Sequence, residues 1–349
     1  MMISVCLIVK NEAHQLTRSL KSIPSECEII VVDTGSTDGT VDVAKEAGAR
    51  LFHFEWNDDF SAARNYSISK ATGKYIFIMD ADEELSEDWL SKVEAHVEEY
   101  PHEATTVVIH NIGNKETSRH RMVRLFPNDF RYRYKGRVHE QVYCNNEIAS
   151  AVHSDLEIMH YGYVEDEYEN KGKFDRYLAL YIRSLEEDPN DGYMLYQLGK
   201  LYYSAGKYRE AYEPLAKSAD LQQFEMLYYA PMVVMLGYTL KEFGYSKEAF
   251  ELLEPLLSLY PKFPDLPFAL GMLAMEAGLF DRIEECFKLA LSIGDTDKYT
   301  SILGVGTFRS SHNLAVFYEV CGKLELANQY YLKAASSGFE PSISRMSLK

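Results

Sequence analysis

The chain has 349 residues, of which 46% are apolar, and its 36 basic and 53 acidic side chains give a formal net charge of −17. This length exceeds what one hydrophobic core usually serves, so we expect two globular domains. The acidic balance argues against nucleic acid as the main partner, because phosphate binding needs a basic face.

Cysteine usage and the amino terminus bear on location. The five cysteines are widely scattered, without zinc-binding spacing, as is typical of reduced thiols: Cys6, Cys27, Cys144, Cys286 and Cys321. The apolar run at residues 1–9 is too short to cross a bilayer and lacks a basic start and a cleavage site. We therefore expect a cytoplasmic protein without stable membrane insertion.

Up to about residue 165, short β-branched runs alternate with helical stretches. Amphipathic segments at 13–22 and 40–47 separate strand-like runs. The predicted strands cover residues 3–9, 28–32, 50–54, 75–79 and 105–109. This alternation predicts parallel strands with crossover helices, a fold that binds ligands at the carboxyl ends of its strands.

From about residue 190 a helical repeat replaces the strands. Four units align on a small residue, a glycine seven positions later, a further small or aliphatic residue and then a leucine or aromatic residue. The first small residues are Gly199, Gly237, Gly271 and Ala315; the turn glycines are Gly206, Gly244, Gly278 and Gly322. The pattern resembles the tetratricopeptide repeat. Successive units are 38, 34 and 44 residues apart, and the 34-residue step alone has the usual length. Its surface would hold a peptide or pair two subunits into a homodimer.

Four motifs of the first half occur together. They are LIVKNE at 7–12, IVVDTGSTDGT at 30–40, FSAARN at 60–65 and IMDADEE at 78–84. In this order and spacing they resemble the nucleotide-sugar domain of family 2 glycosyltransferases, an α/β GT-A fold. With the repeats, the chain is similar to the sublancin-type enzymes that glycosylate cysteine in glycopeptide bacteriocins. We expect a GT-A domain at 1–165, a linking helix at 166–190 and a tetratricopeptide-repeat domain at 191–349.

Asp80 and Asp82 follow an apolar strand two residues apart. Both can emerge at its carboxyl end and offer hard oxygen ligands to Mg²⁺ or Mn²⁺ on a diphosphate. The metal would neutralise charge on the departing nucleotide. The alternative is a helix start, because 82–84 would also suit the first turn of a helix at 85–97.

The resemblance also implies a nucleotide-binding set. Asp33 would accept a hydrogen bond from the imide nitrogen of uracil, and Arg64 would lie near the base or the phosphates. The full set is Ile8, Val9, Lys10, Glu12, Asp33, Arg64, Asp80 and Ala81. The alternatives are an Asx turn or helix cap for Asp33 and Asp38, and a surface ion pair with Asp58 or Asp59 for Arg64.

Residues 115–137 hold eight basic side chains against two acidic ones. Either this is a solvated basic face or it supplies counter-charge for a leaving diphosphate. The stretch leads into segment 134–141, followed later by segment 158–163, and similar segments occur in this branch of the family. We expect Glu140 to be the general base, with His139 second, and His160 to be a third metal ligand or a structural residue.

The leading hypothesis is an inverting, metal-dependent transferase that moves a hexose, first of all glucose, from a UDP-sugar to a peptide side chain. The expected acceptor is a cysteine thiol of a bacteriocin precursor. Serine or threonine, or a cell-surface glycan, is the alternative acceptor. A non-catalytic repeat scaffold is the alternative class of protein.

Overall fold

A computed structural model describes residues 3–113, 118–163, 167–296 and 298–347. The chain divides into two compact units, residues 1–176 and 177–349. The division falls inside a single long helix, Glu167–Glu187. The limits proposed above for the domains and the linking helix stay a prediction.

The first unit begins with alternating strands and helices. They are β1 (Ile3–Val9), α1 (Ala13–Ser22), β2 (Glu28–Asp33), α2 (Thr40–Glu46), β3 (Arg50–His53), α3 (Phe60–Lys70) and β4 (Tyr75–Ile78). β1 pairs in parallel with β2 and with β4, and β2 pairs in parallel with β3. The central strands are apolar almost throughout because helices or other segments cover both of their faces. The predicted βαβ arrangement is therefore confirmed, with strand ends within a residue of those expected.

The rest of this unit contains a further helix and further strands, which run in mixed directions. They are β5 (Glu83–Leu85), α4 (Trp89–Glu99), β6 (Ala104–Gly113), β7 (Ser118–Pro127), β8 (Tyr132–Lys135), β9 (Gln141–Cys144), β10 (Glu147–Ile148) and β11 (Ala151–Tyr163). Within the described residues, eight strands form the main sheet in the order β3-β2-β1-β4-β7-β6-β11-β5, and β8, β9 and β10 form a small second sheet. This mixed α/β sheet is GT-A-like, as the motifs predict.

The start of helix α4 corrects one alternative. Residues 82–84 do not begin the helix, because Glu83–Leu85 pairs as strand β5 with β11 and the helix begins at Trp89. The strand forms there because Glu83 and Leu85 both turn inward and are buried. Glu83 is consequently the first residue of an edge strand, and Asp82 directly precedes that strand.

The second unit is helical, with paired antiparallel helices. After α5 (Glu167–Glu187) come α6 (Gly192–Ser204), α7 (Tyr208–Asp220), α8 (Tyr229–Glu242), α9 (Ser246–Leu253), α10 (Asp265–Ala277), α11 (Phe280–Ile293), α12 (Phe308–Val320), α13 (Leu324–Ala335) and α14 (Glu340–Ser347). The four helix pairs match the four predicted repeats, so the tetratricopeptide-type architecture is confirmed. Among the described helices, none combines the length and apolar character that crossing a membrane requires.

The glycines of the repeat have the two roles that the spacing predicts. Those that close the turns have φ between +70° and +81°, where other residues are strained: Gly206, Gly244, Gly278 and Gly322. Those inside the first helices lie against the partner helix. A Cβ on Gly271, for example, would come within 2.7 Å of the buried ring of Phe287. The repeats therefore depend on close helix crossing.

Candidate active site

The carboxyl ends of the parallel strands carry the predicted nucleotide-binding residues. Asp33, at the end of β2, is 3% exposed. Its carboxylate accepts hydrogen bonds from the backbone nitrogens of Gly35 at 3.2 Å and Ser36 at 3.1 Å. The Asx turn considered above is thus present. The imidazole of His53, which is opposite Asp33 in the β2–β3 register, lies 3.4 Å from the same carboxylate.

The loop after β1 is fastened to the loop after β2. The backbone nitrogen of Asn11 donates to Ser36 Oγ at 2.9 Å, and Asn11 Oδ1 accepts from the nitrogen of Thr37 at 2.7 Å. Asn11 has φ of +57°, which asparagine tolerates better than most residues. These bonds join the loop that follows Val9 to the loop that follows Asp33.

The remaining residues of this loop are placed in the same region. Asp38 accepts from the nitrogens of Thr40 at 2.9 Å and Ala13 at 3.2 Å, and so caps both α2 and α1. Glu12 is the residue before α1, and its nitrogen donates to Thr40 Oγ1. Among the other predicted residues, Val9 is buried, Ile8 is partly buried and Lys10 is exposed. The structure thus brings the loop residues to one sheet edge, while their roles toward a nucleotide stay a prediction.

Five charged side chains form a network where β4 ends. Arg64 Nη2 donates to Asp80 Oδ1 at 2.9 Å and Arg64 Nε donates to Glu140 Oε1 at 2.5 Å. Arg124 Nη2 donates to Asp80 Oδ2 at 2.7 Å and to Glu83 Oε1 at 2.8 Å. Arg64, Arg124 and Glu83 are all at most 8% exposed. The surface ion pair considered for Arg64 is therefore wrong, because its partners are Asp80 and Glu140.

The network shifts the protonation equilibria of its acids in opposite directions. Burial alone would raise the pKa of Asp80, but Arg124 and Arg64 together hold it well below its usual range. Burial raises the pKa of Glu83 to about 7, with Arg124 opposing the rise and Asp80 adding to it. Asp80 is thus held as a carboxylate, whereas Glu83 gains a proton more readily.

Two donors in this network lack a partner. Arg64 Nη1 and Arg124 Nε are buried and make no hydrogen bond within the part of the chain that the structure describes. Buried donors of this kind are costly, and at functional sites they are often satisfied by a bound ligand. They fit the oxygens of an anionic substrate.

Asp82 and His160 are the predicted metal ligands that the structure brings together. Asp82 Oδ2 lies 3.2 Å from His160 Nε2, and His160 Nδ1 lies 2.8 Å from the Oδ1 atom of Asn111. Asp82, the residue after the buried Ala81, is 27% exposed at its side chain. Asp80, the other aspartate predicted as a ligand, instead has one arginine on each carboxylate oxygen.

This donor set fits a divalent cation in part. Within the described ranges, no group of three or more His, Cys, Asp or Glu side chains is arranged to hold a metal ion. An oxygen of Asp82 and a nitrogen of His160 are nevertheless suitable ligands. Mg²⁺ in particular takes one or two carboxylates and completes its shell with phosphate oxygens and water.

The two candidate bases lie in the turn between β8 and β9. The side chain of Glu140 is 11% exposed, and its Oε1 accepts a hydrogen bond from Arg64 Nε. His139 is exposed and has φ of +52°. The turn is bound to helix α3, because Ser61 Oγ donates to the carbonyl of Gly136 at 2.6 Å and Phe60 N to that of Arg137 at 2.8 Å. The geometry gives Glu140 a definite position beside Asp80; which group removes a proton stays a prediction.

The basic stretch 115–137 is distributed rather than gathered at the site. Arg124 is the member that reaches Asp80, whereas Arg131 pairs with Asp129 and Arg121 donates to the carbonyl of Ser154. Lys115 and Glu116 lie outside the described residues.

Sequence reasoning missed three residues of the site. Arg124 appears in the sequence as one of many basic residues on a strand, and Glu83 as one of several acids before a helix. Asn111 belongs to none of the sequence motifs. Arg124 directly precedes the apolar Leu125 and Phe126 in β7, and all three are buried; an arginine within such an apolar run was the signal for a buried partner.

Comparison with known proteins places this unit in a family. Residues 4–154 match the model of glycosyl transferase family 2. A TPR repeat-containing protein of Synechococcus elongatus is 32% identical over 66% of this chain and 61% of its own length. The glycosyltransferase SunS of Bacillus subtilis is 29% identical over 61% of this chain and 52% of its own. The chain therefore spans between half and two thirds of the length of these relatives.

The chain also resembles solved structures. The crystal structure of MamA is 24% identical, covers 53% of this chain and 96% of that protein, and superposes with a TM-score of 0.41. Family 2 enzymes generally use UDP-sugar donors and divalent metals. From the family match and the mixed sheet around Asp80, we conclude that residues 4–154 of this chain form a family 2 glycosyltransferase domain.

Proposed function

We propose that the protein is an inverting glycosyltransferase that moves a hexose from a UDP-sugar to a peptide side chain, with a cysteine thiol as the preferred acceptor. The observation that carries the proposal is the convergence of Asp33, Arg64, Asp80 and Asp82 on one edge of a family 2 sheet. The resemblance to peptide S-glycosyltransferases and the similarity to SunS favour a peptide acceptor.

The donor would bind across the strand ends. Asp33 would accept from the uracil imide, beside the loop of Ile8, Val9 and Lys10. Arg64 Nη1 and Arg124 Nε are buried and have no hydrogen-bond partner among the described residues, and they would donate to oxygens of the diphosphate or the sugar. Asp82 and His160 would hold a divalent cation, which supplies charge neutralisation at the diphosphate when bound.

In the transfer itself, the acceptor sulfur forms a bond to the anomeric carbon while the bond from that carbon to the diphosphate oxygen breaks. The thiol proton passes to a base and UDP leaves. Glu140 is the proposed base, through Oε2, with Arg64 fixing its other oxygen. Because a free thiol has a pKa of about 8.5, replacing Glu140 should slow transfer to cysteine less than transfer to serine.

The repeat unit is proposed to hold the peptide or to pair two subunits. Residues 166–349 hold 19 basic and 26 acidic side chains. An acidic surface suits a cationic peptide. We expect the KM for a lysine-rich peptide to rise with ionic strength, and light scattering to report the oligomeric state.

The test is a transfer assay with purified protein, Mg²⁺ or Mn²⁺, a panel of UDP-sugars that begins with UDP-glucose, and matched peptides that differ in one Cys or Ser. Mass gain on the cysteine peptide with inversion of the anomeric configuration is expected. Absence of donor hydrolysis and of mass gain with every sugar would reject the enzyme in favour of a scaffold. Transfer to the serine peptide alone would reject thiol selectivity.

A further inference from the structure

A buried amide lies between two histidines in the main sheet. Asn111 is on β6, with His160 opposite it in the register of β11 and His120 on the other neighbouring strand, β7. Asn111 Oδ1 is 2.8 Å from His160 Nδ1, and Asn111 Nδ2 is 3.1 Å from His120 Nδ1. Asn111 itself is 8% exposed.

The two ends of an amide have opposite hydrogen-bonding character. The oxygen only accepts and the nitrogen only donates. With the amide in this orientation, His160 must carry a hydrogen on Nδ1 and His120 must present a lone pair there. One side chain therefore imposes different tautomers on its two neighbours.

The consequence for His160 concerns its other nitrogen. With hydrogen on Nδ1, a neutral ring keeps the Nε2 lone pair for a cation, and Nε2 is the atom 3.2 Å from Asp82 Oδ2. Without a cation, that carboxylate oxygen can only accept, so the contact then requires a hydrogen on Nε2 as well. Partners that orient ligating histidines in this way commonly change metal affinity when they are removed.

We propose that Asn111 is a positioning residue, which fixes the tautomer and the ring orientation of His160 so that Nε2 and Asp82 present a joint site for a divalent cation. The inference rests on the proposed function, because that function requires the cation. Asn111 would act through His160 and would not touch the cation or the donor.

The first test needs no variant. Nitrogen-15 NMR of the metal-free full chain at pH 8.5 should show a hydrogen on Nδ1 of His160, with or without a second hydrogen on Nε2, and His120 with hydrogen on Nε2. A His160 ring with hydrogen on Nε2 alone, or a hydrogen on Nδ1 of His120, would overturn the proposal. This readout does not depend on enzyme activity.

The second test measures Mn²⁺ binding by electron paramagnetic resonance with UDP present. Asn111→Leu should weaken binding by about 10- to 100-fold, whereas Asn111→Asp, which can still accept from His160, should bind at least as tightly as the wild type. The matched control is Thr106→Val, because Thr106 contacts His153 at 2.8 Å between the same two strands, and it should bind normally.

A double variant separates positioning from general damage. If Asn111 acts through His160, Asn111→Leu should add little to the loss caused by His160→Ala. Additive losses, or wild-type affinity in Asn111→Leu, would overturn the proposal. Failure of the wild type to bind Mn²⁺ would count against the proposed metal pair, whereas the NMR tautomers would still decide the role of Asn111.

Discussion

Arg124 Nη2 lies 2.7 Å from Asp80 Oδ2, although 44 residues separate them in the chain. The same nitrogen is 2.8 Å from the fully buried Glu83, whose Oε2 accepts from the backbone nitrogen of Asp80 at 2.8 Å. One arginine on β7 thus holds the turn from which both aspartates of the motif project. The position of Asp80 depends on a strand outside the motif.

Removing this arginine should be costly. Arg124→Met would leave Glu83 and Asp80 without their shared partner, and we expect the free energy of unfolding to fall by about 3–5 kcal/mol. The control is Arg131→Met, since Arg131 pairs with Asp129 at the surface, where water screens the pair, and its loss should leave the free energy of unfolding nearly unchanged. Urea unfolding measures the free energy of unfolding of both variants. Equal losses would show that the buried ion pairs of Arg124 stabilise the fold no more than a surface ion pair does.

The two aspartates of the motif should respond differently to the same substitution. Asp80→Asn weakens the bonds to two buried arginines, so we expect a loss of about 2 kcal/mol in stability together with loss of transfer. Asp82→Asn weakens the contact between residue 82 and His160. The free energy of unfolding should therefore stay within about 1 kcal/mol of the wild-type value.

Activity should nevertheless fall in Asp82→Asn by at least about 100-fold, because Asp82 is the proposed metal ligand. Thermal melting and a donor hydrolysis assay with Mn²⁺ separate the two effects. Wild-type turnover by Asp82→Asn, or undiminished wild-type turnover in EDTA, would contradict the metal assignment.

Local sequence patterns predicted the parallel part of the fold well. The runs around Val5, Val31 and Phe77 are apolar on both faces because these strands are covered on both sides. The repeats were equally readable, since the turn at Gly206 needs positive φ and the contact at Gly271 leaves no room for a Cβ. In both cases the pattern that predicts the structure lies within a short segment of the sequence.

The rest of the sheet, whose strands run in mixed directions, was predicted only in part: the predicted strand 105–109 lies within β6, but β7 and β11 were not expected. β7 and β11 carry charged residues on their exposed faces, so their sequences are typical of solvated segments. The burial of Arg124 and the pairing of Glu83 follow from contacts with residues about 40 positions away, which periodicity does not encode. The same holds for Asn111, whose role exists only when β6, β7 and β11 lie side by side.

Two helical glycines should respond oppositely to alanine. Gly271→Ala would drive a Cβ to 2.7 Å from the fully buried ring of Phe287, and we expect a loss of about 1–3 kcal/mol. Gly172 is exposed in α5, and no described atom lies within 4 Å of the new Cβ, so Gly172→Ala should gain about 0.5–1 kcal/mol. Denaturant unfolding compares them, and a neutral Gly271→Ala would mean that the helices of this repeat can move apart.

Glu28 should make the stability of the first unit depend on pH. Its carboxylate accepts from Thr72 N at 2.8 Å and Thr72 Oγ1 at 2.9 Å, and also from Ser4 Oγ and Arg50. Burial would raise the pKa of Glu28, but the bonds from Ser4, Thr72 and Arg50 prevail and lower it to about 2. The native state therefore binds its proton less readily than the unfolded chain, whose glutamates have a pKa of about 4.3.

The sign of the effect follows from this difference. The stabilising contribution of Glu28 is complete above about pH 5 and is lost as the pH falls from there toward 2. Glu28→Gln should cost about 2 kcal/mol between pH 6 and 8, because an amide nitrogen cannot accept from these donors. The gap between wild type and variant, followed by urea unfolding at several pH values, should narrow below pH 4. A gap that stays constant down to pH 3 would show that the ionised carboxylate is not what stabilises this junction of β1, β2 and β3.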